Sequence, residues 1–300
     1  MTSDRMRLGI IGMSEGNGHP YSWTAIFNGY DAEKMRDCPF PVIPQYLAER
    51  RFPEEALTSA TVTHIWTQDH AISEHIAHAS LIDTIVDAPE DMIGKVDGLL
   101  LARDDAENHA RFAMPFLKAG LPIYIDKPLA LTVSTARELI EAQCYPGQIF
   151  SCTSLRYAKE LQLSESDRRE IGKIRHIVGT TPRKWDKYAV HIIEPALLLV
   201  PDRGAATSMT ASGYENGART LKAFYANDVD ISVTAYETAT APISLRVIGT
   251  TGWRDLQFFD SFTAFRSSLS AFADSAIDRT QAIPTDFTLE VVGLIEAGGK

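Results

Sequence analysis

The sequence predicts an α/β domain built on a parallel sheet, followed by an α+β domain built on an antiparallel one. Three observations carry this reading. Up to about residue 150, short β-rich apolar runs alternate with helical stretches, the pattern of strands covered on both faces by helices. From about Arg156 the rhythm changes to β-type runs in series, separated by short turn-like breaks. The chain has 300 residues, 45% of them hydrophobic, enough for about two domains that each bury a core. No Gly/Ser linker marks the boundary, which is a change of pattern; domains of 1–154 and 155–300 are expected.

Arg7–Gly12 reads as the first strand, Val62–Asp69 as the next, with a helix over Ile72–Ser80 and a short strand over Leu81–Val86. Val96–Ala102 (VDGLLLA) is nearly continuous in apolar residues, as expected of a strand buried on both faces. Ala110, Ala113, Met114 and Leu117 give Ala106–Ala119 helical spacing, with Gly120 as a C-cap. Ile123–Ile125 is a strand, Ser134–Ala142 a helix with Ser134 as N-cap, and Gln148–Thr153 a strand. In the second half a helix near Tyr188–Val200 precedes strands at Ala218–Tyr225, Ile231–Tyr236, Ile243–Ile248 and Trp253–Phe259. Helices over Phe262–Ile277 and Thr288–Ala297 end the chain.

Composition narrows the functional classes. The formal charge is −10 and no Lys/Arg-rich run occurs, so the basic footprint of a nucleic-acid binder is missing. The longest apolar runs fall far short of the ~20 residues that span a bilayer, and no signal-peptide core follows Met1; a cytoplasmic protein without a membrane partner is expected. Cys38, Cys144 and Cys152 lack metal-ligand spacing and read as free buried thiols. His70, His75 and His78 lie near one short helix without an accompanying Cys or carboxylate pattern, and read as a solvated face; no metal site is expected. Ser14, Ser22 and Ser154 lack the G-x-S-x-G context of a hydrolase nucleophile.

The first strand runs into a loop containing Gly12, Ser14, Gly16, Asn17, Gly18 and His19, with Pro20 in the first turn of a helix. Its glycines are spaced differently from the G-x-G-x-x-G dinucleotide fingerprint. Small residues and backbone N–H groups at a helix N-terminus nonetheless suit a pyrophosphate. Asp69 ends a strand where an acid can bond the adenosine ribose, which favours NAD over NADP, with NADP still open. The usual gap of ~20 residues to that acid is more than doubled by an insertion at about residues 29–60, rich in Pro and aromatics. A lysine at the carboxyl end of a parallel strand, here Lys127 after Ile123–Ile125, stands at the crevice where such sheets bind ligands.

Val96–Ala130, with its apolar strand, helix ending in Ala119-Gly120, and strand ending in Asp126-Lys127-Pro128, resembles the glucose–fructose oxidoreductase/inositol dehydrogenase (Gfo/Idh/MocA) family, whose tripeptide there is Glu-Lys-Pro. A second block, Ile171–Val200, resembles the start of that family's second domain: Ile171-Gly172-Lys173-Ile174 opens a strand, and His191 matches the histidine of an Asp-x-x-x-His helix. The acid is displaced, because Lys187 stands four residues before His191 and Asp186 five. Side chains at i,i+4 share a helix face; those at i,i+5 diverge. Either Asp186 reaches in from before the helix or Lys187 replaces it. Arg156-Tyr157 resembles the opening of the second domain, where Arg156 lines a cleft or anchors the crossover.

The resemblance implies a Rossmann domain followed by a large open antiparallel sheet, and hydride transfer between NAD and a carbinol carbon of a sugar, polyol or sugar derivative. It implies Lys127 and His191 as the reacting pair, with Asp186 or Lys187 beside His191, Asp126 and Pro128 against the cofactor, Arg156 and Tyr188 toward the substrate, and a cis Lys127–Pro128 bond. Two other classes remain open: a non-catalytic nucleotide- or sugar-binding sensor of the same fold, and an NAD-dependent redox-cycling glycosidase or lyase. Tyr30, Phe40, Tyr46 and Phe52 of the insertion suggest a wall of the substrate cleft. The strand-rich, helix-poor second domain suggests a sheet-to-sheet homodimer, or that dimer doubled to a homotetramer.

Overall fold

The computed structural model describes residues 5–300; residues 1–4, part of the stretch read for a targeting signal, lie outside the described residues. The chain folds into two compact units. The first takes in the chain up to Ala130, Thr135–Ser151 and Phe265–Thr285; the second takes in Leu131–Ser134, Cys152–Ala264 and Asp286–Lys300.

In the first unit the elements are β1 (Met6–Ile11), α1 (His19–Asn28), α2 (Ala32–Met35), α3 (Val42–Ala48), β2 (Ala60–Trp66), α4 (His70–Ala79), β3 (Thr84–Ile85), β4 (Gly98–Leu101), α5 (His109–Lys118) and β5 (Ile123–Ile125), then α6 (Val133–Glu141) and β6 (Ile149–Phe150). The six strands form a parallel sheet in the order β3-β2-β1-β4-β5-β6. Every residue of β4 and β5 is buried, which is why these strands read as unbroken apolar runs. The order reverses between β1 and β4, creating the switch point at which doubly wound sheets bind ligands.

The second unit opens with α7 (Glu165–Ile171) and continues with β7 (Ile174–Thr181), α8 (Trp185–Tyr188), α9 (Val190–Leu199), β8 (Ala206–Gly213), β9 (Arg219–Tyr225), β10 (Asp230–Ala235), β11 (Ser244–Gly249) and β12 (Trp253–Gln257). The helices α10 (Ser261–Asp278) and α11 (Thr285–Gly299) end the chain. Strand order is β12-β11-β7-β10-β9-β8, antiparallel except for the parallel pair β7–β10. The helix α9 lies close on β7 because Gly179 has no side chain: a Cβ there would stand 3.0–3.3 Å from Leu245, Val233 and Ile192.

Several expectations need correction. The two-segment division misses Phe265–Thr285, which belongs to the first unit because Phe272 packs on Tyr124 and Phe150 of its sheet. Helix α6 begins at Val133, so Ser134 sits inside its first turn and is not the N-cap. Cys38 and Cys152 are buried and form no disulfide, but Cys144 is exposed. His75 is not part of a solvated face; its Nδ1 bonds the Tyr21 hydroxyl at 2.6 Å. Among the described residues no group of His, Cys, Asp and Glu fits a metal ion, and no helix is long and apolar enough to cross a membrane.

Candidate active site

The carboxyl ends of β1, β4 and β5 bring three short segments together. Gly12 N–H bonds the Trp66 carbonyl at 3.1 Å, and the ring of Pro20 fills the space its Cβ would take. Gly16 has φ +78 with open space on its Cβ side, and the loop runs into the N-terminus of α1, whose Gly18 cap has no side chain to offer. Gly18 is required by packing: a Cβ would stand 2.6 Å from both Phe40 and Ile43. These two residues place part of the insertion against the glycine loop. The insertion is also tied to α1 by the Tyr46 hydroxyl donating to Ser22, while Tyr30 and Phe52 pack edge-on against each other.

The Asp126-Lys127-Pro128 tripeptide directly follows β5, and its Lys127–Pro128 bond is cis as expected. Asp126 is buried. Its Oδ2 accepts from Asn17 Nδ2 (2.9 Å) and pairs with His19 Nδ1 (2.6 Å), and its Oδ1 accepts the Lys127 N–H (2.7 Å). Burial alone would raise this carboxyl, but the neighbouring His19 and Lys127 outweigh it and hold it well below the usual carboxylate range. Asp126 therefore staples the glycine loop to the end of β5. Asn17 serves twice, since its Oδ1 also accepts the His19 N–H at 2.7 Å.

Lys127 is not a solvated surface lysine: it is 5% exposed, and its Nζ lies 3.6 Å from Asp104 Oδ2 in the loop after β4. Ser14 donates to Asp104 Oδ1 at 2.7 Å and accepts the Asp104 N–H at 3.1 Å. Arg103 binds Asp105 through two nitrogens and donates to the Met13 carbonyl at 3.1 Å. Buried His109 bridges the carbonyls of Arg103 and Leu129 at 2.7 and 3.0 Å, fixing the loops that carry Asp104 and Lys127. Sequence reasoning missed Asp104 and His109. The signal for Asp104 was available: two adjacent acids where a fully buried strand ends need partners.

Asp69 is the N-cap of α4, with its Oδ1 accepting the Ala71 N–H at 2.9 Å. Asp186 is exposed on the first turn of α8, and Lys187 beside it is half-buried. The partner at His191 Nδ1 is the hydroxyl of Thr153, 2.7 Å away. Tyr188 packs edge-on against the His191 ring and lies under Arg183. Arg156 acts as an anchor, bonding the buried Glu194 at 3.0 Å and lying over Phe287. Glu194 Oε2 accepts the Thr153 N–H at 2.8 Å, and burial pushes its carboxyl up to about 7 against the pull of Arg156.

A parallel sheet of this order, a glycine loop leading into a helix N-terminus and a buried lysine at the carboxyl edge define a dinucleotide-binding domain of the Rossmann class. Residues 6–153 match the model of an oxidoreductase family with an NAD-binding Rossmann fold, and the chain belongs to that Gfo/Idh/MocA family. No curated protein sequence matches the chain. Among solved structures, it resembles apo scyllo-inositol dehydrogenase from Lactobacillus casei, with a TM-score of 0.75, 13% identity, and coverage of 100% of this chain and 97% of the other. It also resembles myo-inositol 2-dehydrogenase from Lactobacillus plantarum (TM-score 0.74, 14% identity, 99% and 96% covered). A third similar structure is myo-inositol dehydrogenase from Lactobacillus casei in complex with NAD(H) and myo-inositol (TM-score 0.72, 14% identity, 99% and 94% covered). At such identities the likeness establishes a shared fold.

Proposed function

We propose that this oxidoreductase is an NAD-dependent dehydrogenase that transfers hydride at a carbinol carbon of a polyol, sugar or sugar derivative. The observation that carries the reading is Lys127, buried at the carboxyl end of β5 and linked through Asp104 and Ser14 to the glycine loop. A lysine so held donates to an oxygen that gains negative charge during the reaction. His191 is the proton-transfer group of the second unit, with Tyr188 against its ring. Arg156 supports it through Glu194 and Thr153, and Asp186 and Lys187 lie on the preceding helix α8.

The residues fit a dinucleotide. The glycine loop before α1, with Gly12, Ser14, Gly16 and Gly18, would hold the pyrophosphate, Asn17 and His19 would flank it, and Asp126 and Pro128 would border the nicotinamide end. The dinucleotide supplies the hydride donor or acceptor. With its Oδ1 engaged as a helix cap, Asp69 offers the ribose its remaining oxygen, which favours NAD over NADP. A nicotinamide-free sensor is the second reading, supported by the use of the Met13, Asn17 and His19 N–H groups within the protein. Calorimetry with NADH and NADPH, followed by nicotinamide absorbance against a panel of inositols, polyols and sugars, separates the two. NADH binding and turnover are expected. Absence of binding at millimolar cofactor would leave the sensor.

A further inference from the structure

Thr153 is fully buried, and each of its polar groups is engaged. Its N–H donates to Glu194 Oε2 at 2.8 Å, and its carbonyl accepts the Arg156 N–H at 3.1 Å. Its Oγ1 accepts the Leu155 N–H at 3.2 Å and lies 2.7 Å from His191 Nδ1. Because Glu194 also binds Arg156, the backbone of Thr153 is held from both sides and its hydroxyl is fixed in direction.

A hydroxyl has one proton to give. Among the described residues the only acceptor at this oxygen is His191 Nδ1. If Nδ1 carried a proton, two N–H groups would point at Oγ1 and the buried hydroxyl proton would have no acceptor, an arrangement that folded proteins avoid. We propose that Thr153 is the positioning residue of His191: its hydroxyl donates to Nδ1 and fixes the neutral imidazole in the tautomer with its proton on Nε2.

The inference rests on reading His191 as the proton-transfer group, and it gives that group a direction. Neutral His191 presents an N–H at Nε2, so toward a carbonyl oxygen it is a hydrogen-bond donor. To accept a proton from a hydroxyl at Nε2, it must first take the other tautomer and give up its bond from Thr153. A carboxylate at Nδ1 would impose the opposite preference, because it only accepts.

The test is nitrogen NMR of the full chain labelled with ¹⁵N-histidine, at alkaline pH where the ring is neutral, with His191→Gln used to assign the signal. The wild type is expected to show a pyridine-type Nδ1 and a protonated Nε2 at His191. Thr153→Val, which keeps the shape and removes the hydroxyl, should lower that tautomer ratio by about fivefold or more. Thr153→Ser should restore it, and circular dichroism of the three proteins checks that the fold is kept. A protonated Nδ1 in the wild type overturns the proposal, as does a Thr153→Val ratio equal to that of the wild type. If Thr153→Val fails to fold, the wild-type and Thr153→Ser spectra decide: loss of the Nε2-protonated form in either overturns it. None of these readouts uses turnover, so a protein that fails to bind NADH would refute the dehydrogenase reading and leave this result standing.

Discussion

His19 Nδ1 stands 2.6 Å from Asp126 Oδ2, so the first residue of α1 is tied to the residue that follows β5. The two lie 107 positions apart in the chain, and the tie holds the glycine loop over the sheet edge that carries Lys127.

Breaking this tie is expected to cost stability. Removing one partner of a buried pair leaves the other uncompensated, at about 3–5 kcal/mol, so Asp126→Asn should lower the unfolding free energy by that order. The folded carboxyl is held below its ordinary value of ~3.9. Its stabilisation is therefore in place above that value and is lost as pH falls through the folded range. Urea unfolding from pH 7 down to pH 3 should show a steeper loss in the wild type than in Asp126→Asn. Parallel curves would remove Asp126 from the account.

Lys127→Ala is expected to lower turnover by about two to four decades, the range for groups that act on a proton in the transition state. A lysine that merely faced a cleft could be removed without cost to folding. The pairing of Lys127 with buried Asp104 changes that expectation. Lys127→Ala should also destabilise, and adding Asp104→Asn should recover stability without recovering turnover. A single variant as stable as the wild type would show that the pair contributes nothing to folding.

These cases show where the sequence was legible. β4 and β5 were readable because burial on both faces leaves an unbroken apolar run. Phe265–Thr285 was misplaced because helical periodicity tells which face is buried, not which partner covers it; only Phe272 against Tyr124 decides that. Lys127 and His191 stood out through their neighbours in sequence. Thr153 gave no signal, since a threonine after a strand has many ordinary uses. Glu194 did give one: an acid inside the apolar run His191–Val200, three residues from the histidine, has to find a cation or a proton. It found Arg156.

Arg156→Ala follows from that pair. Glu194 is buried, and burial lifts its carboxyl to about 7 despite Arg156. A carboxyl raised in the folded state adds stability that is complete below its unfolded value and is lost as pH rises through the folded one. Without Arg156 the ionised form is less favourable still. The deficit of Arg156→Ala against the wild type should therefore be larger at pH 8 than at pH 5, of order 3 kcal/mol at the higher pH. Glu194→Gln should lose less than Arg156→Ala at pH 8. An equal deficit at both pH values would mean that Glu194 is not the group responsible.

The last prediction concerns assembly. Within the second unit, α9 covers one face of the sheet through Gly179, and the buried side chains Tyr225, Val233, Leu245 and Val247 point to that side. Register places Val178, Ser232 and Lys222 side by side on the other face, with Arg246 opposite Val178 and Phe224 opposite Asp230. Val178, Phe224 and Trp253 are 43%, 38% and 56% exposed, which is high for large apolar side chains on regular strands. Around them stand Thr180, Thr220, Thr234 and the Arg246–Asp255 ion pair, so the face is mixed and no continuous oily surface is present. Such a composition suits an interface between two copies, in which a few apolar anchors are bordered by polar groups. A two-fold sheet-to-sheet pairing is self-complementary: the patch on one copy meets the same patch on its partner. We therefore expect sedimentation at micromolar concentration to give twice the 33.1 kDa chain mass, or four times if the dimer doubles. Trp253→Glu combined with Phe224→Lys should shift the protein to the single-chain mass with its circular dichroism unchanged. A wild-type protein that already sediments near the single-chain mass would mean that this face meets only water.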